Sequence, residues 1–238
     1  MTDRHLHWDG CHNVRDLGGL PTADGGRIRH GALVRADALE RLTARGWAAL
    51  EAHGVRTVID LRNDDEVGAD DAPRPPGLMT LHLPLDGMED TEFWRHWIER
   101  PEFGTPHYYG PWLERFPERA ARVVAAIAHA RPGGVAYHCG IGRDRTGLIT
   151  LLLLAFAGVP PEAVTEDYAL SVDRVPVLLE QLGAPEHSAE LEAFYAERAT
   201  TPAEGFAGVL AGLDAETYLR GAGLGVGDLA ALRARMLR

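Results

Sequence analysis

Short apolar runs with β character recur between helical patterns through the first part of this chain and then stop, an order that restricts the fold more than any other feature. The β-like runs cover residues 28–35, 55–61, 78–85 and 135–138. Asp37-Ala38-Leu39-Glu40 has the order of a capping box, and the pattern after it predicts a short helix over 43–53. Pro117 opens an amphipathic helix that carries Ala120, Val123, Val124 and Ile127 on one face and ends at Arg131-Pro132-Gly133-Gly134. Beyond His138 the chain reads as helical, with starts at Pro160-Pro161-Glu162, Pro202 and Asp214. Strands alternating with helices predict an α/β fold: a central, mostly parallel sheet of about four or five strands flanked by helices, with a helical C-terminal part. Ligands of open α/β sheets sit beyond the carboxyl ends of the strands, so the turn after residues 135–138 is the first place to look for a site.

Composition narrows the function. The 238 residues are 45% hydrophobic and 25% charged, the balance of an ordinary globular protein, and one domain spanning 1–238 is expected. Gly18-Gly19, Asp24-Gly25-Gly26 and a Pro-rich stretch over 70–77 read as turns and a loop. Two cysteines, Cys11 and Cys139, are too few for a disulfide scaffold, and the residues from Met1 to His7 lack the order of a signal peptide. A reducing cytoplasm is therefore the expected compartment, although export by another route leaves no mark in a sequence. The apolar run over 148–159 is shorter than the ~20 residues that cross a bilayer, so it reads as a buried helix and no membrane insertion is expected. A net charge of −11 disfavours binding to nucleic acid or an anionic membrane, so an anionic ligand must be captured locally. The chain has no lysine: all 24 basic residues are arginine, for which codon bias is the simplest cause. Nothing in the sequence speaks to oligomeric state.

The turn after residues 135–138 reads His138-Cys139-Gly140-Ile141-Gly142-Arg143-Asp144-Arg145-Thr146-Gly147. Residues 140–144 are long enough to wrap into a cradle of backbone N–H groups around one tetrahedral oxyanion, with the glycines supplying unusual φ values. The helix that follows aims its positive end at the same point, and Arg145 has the planar fork to hold two phosphate oxygens. Surroundings of that kind favour a thiolate, which makes Cys139 the candidate nucleophile and Thr146 a hydroxyl donor to its sulfur. Gly140, Ile141, Gly142, Arg143, Asp144, Arg145 and Thr146 are the candidate substrate-binding residues. His138 is expected to orient the loop through backbone bonds rather than to act as a base. Cys-x5-Arg alone is a weak pattern; the flanking residues and the strand-loop-helix context make it specific.

These ten residues resemble the phosphate-binding signature of the cysteine-dependent protein tyrosine phosphatases. The order His-Cys-x-x-Gly-x-Asp-Arg-Thr-Gly is similar to that of the bacterial tyrosine phosphatases typified by the mycobacterial protein tyrosine phosphatase B. Further similar stretches follow in the same order: Asn13-Val14-Arg15-Asp16-Leu17-Gly18-Gly19, Leu33-Val34-Arg35, Val58-Ile59-Asp60-Leu61-Arg62, Glu166-Asp167-Tyr168 and Thr217-Tyr218-Leu219-Arg220. The resemblance implies a phosphatase of phosphotyrosine, with tolerance for phosphoserine, phosphothreonine and phosphoinositides, acting without a metal or cofactor. It carries over Cys139 as nucleophile and Arg145 as phosphate binder. Arg143 stands where the family has a lysine associated with phosphoinositide recognition, so lipid activity stays open.

Transfer of phosphate to a cysteine needs a proton donor for the departing oxygen. Asp86, after a predicted strand, and Asp144, inside the cradle, compete equally for that role, with Asp90 third. Between Asp86 and Cys139 lies an insertion rich in aromatic residues: Phe93, Trp94, Trp97, Phe103, Tyr108, Tyr109, Trp112 and Phe116. Helical core packing is the simpler account of it, and an aromatic flap over residues 88–116 is the functional one. Arg15, Arg35 and Arg62 either widen the positive pocket or pair with Asp16, Asp60 or Glu66, and pairing is the expectation.

Three rivals differ in class. His5, His7, Cys11 and His12 sketch the start of a metal site, hence a metal-dependent hydrolase, with no second cluster to complete it. A rhodanese-type sulfurtransferase also uses a loop cysteine after a strand, but not this spacing to an arginine followed by threonine. A phospho-ligand binding module would lack the nucleophile. Cys11, just before the Asn13–Gly19 motif, is also a candidate to form a reversible disulfide with Cys139.

Overall fold

The computed structural model describes residues 4–67, 74–98, 100, 102–183 and 185–237. Outside the described residues lie 70–73 of the predicted Pro-rich loop, Met1, Thr2 and Asp3 of the N-terminal stretch, and Glu99 and Pro101 of the aromatic insertion.

Strands β1 (Arg15–Asp16), β2 (Leu33–Ala36), β3 (Val55–Asp60), β4 (Met79–His82) and β5 (Gly134–His138) form one sheet in the order β1-β2-β5-β3-β4. β2, β5, β3 and β4 run parallel, and β1 closes one edge antiparallel to β2. Helix α1 (Ala44–Ala52) lies between β2 and β3; α2 (Thr91–Ile98), α3 (Tyr109–Arg115) and α4 (Pro117–Ala128) lie between β4 and β5. After β5 come α5 (Asp144–Phe156), α6 (Pro161–Val172), α7 (Val175–Gln181), α8 (Pro185–Glu197), α9 (Pro202–Ala211), α10 (Ala215–Gly221) and α11 (Val226–Met236). The expected class, a mostly parallel sheet flanked by helices with a helical C-terminal part, is the one observed.

Side-chain alternation along β5 explains its central place. Val135 and Tyr137 enter a large core with α4, α5 and the C-terminal helices, while Ala136 enters a smaller core with Trp8, Val34, Trp47 and Leu50. α5 lies in the large core and is buried on nearly every side from Thr146 to Phe156, which its all-round apolar sequence requires. It is therefore a rigid support for the turn at its own N-terminus. Among the described residues no helix is long and apolar enough to cross a membrane.

Several predicted bounds shift. β2 begins at Leu33, not at residue 28, because His30 and Gly31 form a turn in which Gly31 has φ +71°. Ile28 instead makes an isolated bridge with Leu237. The third predicted run shortens to Met79–His82, ahead of Pro84, which has no N–H to give a ladder. Asp37 does not cap a helix. Its carboxylate accepts from the amides of His12 and Asn13 and from Arg41, and the turn Leu39–Arg41 starts at Ala38 without a side-chain cap. α1 is capped by Thr43, whose hydroxyl accepts from the Gly46 amide.

Candidate active site

β5 ends at His138, in the middle of the sheet, and α5 starts at Asp144; residues 139–143 turn between them. The turn borders a cavity of about 440 Å³ lined by Cys139, Gly140, Ile141, Arg143, Asp144 and Arg145. Asn63, Asp65, Glu66, Asp86, Met88, Trp94, Phe103, Gly104, Tyr108 and Leu179 complete the wall. The structure thus brings together six of the predicted turn residues with Asp86. Gly142 and Thr146 are not among the lining residues and support the turn instead. At Gly142 φ is +72°, and a methyl group there would lie 2.6 Å from the Ala36 carbonyl oxygen, so the turn cannot close this tightly with a side chain.

Cys139 is buried, and the Thr146 hydroxyl donates to its sulfur at 3.2 Å. His138 Nδ1 is 3.3 Å from the Cys139 carbonyl oxygen, and its Nε2 is 3.8 Å from Asp60. Burial lowers the pKa of His138 against the pull of Asp60. A buried imidazole in those contacts orients the start of the loop.

Arg145 donates with Nη2 to Glu66 Oε1 at 2.7 Å, its Nη1 also bonds Glu66 Oε2, and Nη1 is 3.2 Å from Asp86 Oδ2. Burial works against this charge, yet the bond to Glu66 and the nearby Asp86 and Cys139 raise the Arg145 pKa overall. Glu66 belongs to a turn, Asp64–Glu66, whose capping residue is Asn63; the Asn63 amide donates to Glu66 Oε2. The side chain of Asn63 donates to Asp86 Oδ2 at 2.8 Å. One short turn therefore holds both Arg145 and Asp86.

The three aspartates separate clearly. Burial raises the pKa of Asp86, with Arg145 and Asn63 pulling it down less strongly, so its carboxyl keeps a proton to higher pH than an exposed one. The Asp86 backbone is pinned as well: its carbonyl accepts from the indoles of Trp94 and Trp112 at 3.2 and 3.1 Å. Asp144 accepts from the Tyr109 hydroxyl at 2.9 Å and from Arg143 Nε at 3.2 Å. Arg143 also donates to the Gly104 carbonyl at 2.7 Å. Asp144 and Arg143 thus tie the loop to the insertion. Asp90 is outside the cavity: its carboxylate accepts from the Phe93 amide at the start of α2 and from Arg115, which hold its pKa down.

The aromatic insertion packs into the core and also reaches the cavity. Trp94, Tyr108, Tyr109, Trp112 and Phe116 all belong to the large core; Trp94 and Tyr108 also line the cavity, beside Phe103, which is 39% exposed at its wall. Arg15 and Arg35 pair with Asp167 of α6, not with Asp16, because both guanidinium groups are buried behind the turn where Asp167 projects. Arg62 pairs with Asp60, as its sequence neighbourhood suggests, and with Glu40 in place of Glu66. Cys11 and Cys139 are free thiols. Cys11 donates to the Ala38 carbonyl at 3.4 Å, and burial together with Asp37 pushes its pKa far up, which makes it a poor partner for exchange. Among the described residues no cluster of three histidine, cysteine or acidic side chains is placed to hold a metal.

Sequence reasoning passed over Glu66 and Asn63 as site residues. The signal was present in the Asn63-x-x-Glu66 capping spacing, but nothing local says that such a turn faces Arg145, 79 positions away. Leu179, from α7, had no signal at all.

The cysteine of a glycine-rich turn between a parallel strand and a buried helix thus shares one cavity with an arginine and a buried carboxyl, a set of groups suited to phosphate-ester chemistry. The sequence agrees with the tyrosine phosphatase family over residues 6–238. The chain is 32% identical over 224 residues to a tyrosine-protein phosphatase of Nostoc commune, covering 86% of this chain and 74% of that one. It is 31% identical over 198 residues to the triple specificity protein phosphatase PtpB of Mycobacterium tuberculosis, covering 71% and 70%. Superposition on the crystal structure of P. aeruginosa TpbA gives a TM-score of 0.39 at 18% identity, over 90% of this chain and 92% of that one. The chain belongs to the tyrosine phosphatase family and is a hydrolase of that family.

Proposed function

We propose that residues 1–238 act as one catalytic domain that removes phosphate from phosphotyrosine in proteins through a phosphocysteine intermediate. The observation that carries this reading is the convergence of Cys139, Arg145 and Asp86 on one cavity. The Cys139 thiolate attacks phosphorus in line, the S–P bond forms and the bond from phosphorus to the tyrosine oxygen breaks. Arg145, the amides of residues 140–144 and the N-terminus of α5 take the charge on the non-bridging oxygens. Asp86 gives its proton to the leaving phenolate and then, ionised, takes one from the water that attacks the phosphocysteine, releasing phosphate and restoring the thiolate. Asp144 positions Tyr109 and Arg143 in this scheme. Trp94, Phe103 and Tyr108 make a wall for the substrate ring.

The cavity suits phosphotyrosine better than phosphoinositides. Arg143, the one basic side chain that distinguishes the lipid reading, is engaged with Asp144 and Gly104. Tolerance for phosphoserine and phosphothreonine is part of the proposal and depends on how far the aromatic wall yields. Two free thiols suit a reducing cytoplasm as the working compartment.

The test is hydrolysis of p-nitrophenyl phosphate and a phosphotyrosine peptide with a chelator present, comparing wild type with Cys139→Ser. The wild type is expected to be fully active and the variant inactive. Activity that survives in Cys139→Ser, or that the chelator abolishes in the wild type, would replace this reading with a metal-dependent one.

A further inference from the structure

We infer that Asn13 and Arg35 are positioning residues that set which way the peptide groups of the phosphate loop face, an inference that rests on the phosphatase reading above. Three consecutive loop carbonyls each have a donor from outside the loop. The Gly140 carbonyl accepts from the Ala38 amide at 3.1 Å and from Arg41 at 3.2 Å. The Ile141 carbonyl accepts from Asn13 Nδ2 at 3.0 Å, and the Gly142 carbonyl from Arg35 Nη2 at 2.8 Å.

A trans peptide is planar, so its carbonyl and the following amide point in opposite directions. Holding the carbonyls of 140, 141 and 142 on the protein side turns the amides of 141, 142 and 143 the other way. No hydrogen bond ties those three amides to another described residue. Successive amides turned to one side form a nest for an anion, and the positive φ of Gly142 belongs to such a turn.

Both clamps are anchored in a fully buried network. Asn13 Oδ1 accepts from Arg15 Nη1 at 2.8 Å and from the Ser171 hydroxyl at 3.3 Å, which leaves Nδ2 aimed at Ile141. Arg35 holds Asp167 at 2.9 Å with Nη1 and the loop with Nη2. Asp167 also meets Arg4 and Arg15, so one carboxylate faces three guanidinium groups. Burying more cations than carboxylates is costly in a purely structural cluster. Behind a loop that takes a phosphate dianion, the surplus positive charge has a use.

The experiment measures orthovanadate as a competitive inhibitor of p-nitrophenyl phosphate hydrolysis, with the melting transition of each sample recorded beside it. Asn13→Asp keeps an acceptor for Arg15 but loses the donor to Ile141. Asn13→Ala loses both. Arg35→Lys keeps the charge but offers a single ammonium in place of a fork. The vanadate inhibition constant is expected to rise about 10- to 100-fold in all three, below the 10²–10³-fold effect of deleting an oxyanion donor outright. Folded Asn13→Ala or Arg35→Lys that binds vanadate like wild type would overturn the inference. So would a loss confined to Asn13→Asp, which is repulsion by the new carboxylate. If Asn13→Ala fails to fold, Arg35→Lys decides by the same criterion. Wild type that ignores vanadate would instead mark failure of the phosphatase reading.

Discussion

Replacing Asp86 with asparagine separates proton donation from every other contribution to the site, because the amide oxygen still accepts from Asn63 and Arg145. General acid catalysis contributes about 10²–10⁴ in rate, or roughly 3–5 kcal/mol at the barrier. Asp86→Asn should lower kcat on a phosphotyrosine peptide by that factor. On p-nitrophenyl phosphate the loss should be smaller, since nitrophenolate leaves without much help. Stability moves differently. The folded pKa of Asp86 lies above its ordinary value of 3.8, so its contribution to stability is full below pH ~3.8 and is lost as pH rises through the folded value. Near pH 7 the neutral asparagine avoids that loss, and the variant should melt no lower than wild type. The assay is steady-state kinetics across a series of aryl phosphates of increasing leaving-group pKa, with thermal melts at neutral pH. Equal losses on all leaving groups would refute the reasoning, as would a leaving-group-dependent loss in Asp144→Asn in place of Asp86→Asn.

Gly142→Ala combines a positive φ with a methyl 2.6 Å from the Ala36 carbonyl, so denaturant unfolding should show a loss of about 1–3 kcal/mol together with reduced activity. Thr146→Val removes the hydroxyl bonded to the Cys139 sulfur and should slow alkylation of Cys139 by iodoacetate about tenfold, followed by peptide mapping. Arg15 and Arg35, against the opposing effect of burial, hold the pKa of Asp167 well below 3.8, so the stability it contributes is present above that pH and lost as pH falls below it. Asp167→Asn should cost about 3–5 kcal/mol at neutral pH and flatten the acid limb of a urea stability profile.

Much of the fold was legible because it rests on local patterns. The strands over 55–61 and 135–138, the helix from Pro117 and the helical remainder all follow from periodicity and capping, and the phosphate loop is contiguous. Edge strand β1 was hidden because Arg15–Asp16 is two residues long and pairs with β2 across the long connection 17–32. Asp37 looked like a cap because local spacing cannot reveal that the amides of His12 and Asn13 compete for it. Long-range polar partners were the least readable. Arg15 has Asp16 beside it, yet its carboxylate is Asp167, brought there by packing of α6. Asp86 and Asp144 are equal candidates on spacing alone. Their environments, one buried against indoles and the other bonded to Tyr109 and Arg143, exist only once the insertion has folded.

The central claim is that Cys139 carries the phosphate. Mixing enzyme with phosphotyrosine peptide, quenching in acid within the first turnover and mapping the digest by mass spectrometry tests it directly. A phosphoryl group is expected on the peptide containing Cys139, absent from Cys139→Ser. Steady turnover in which no phosphocysteine forms at any quench time, or a phosphoryl group on another residue, would contradict it.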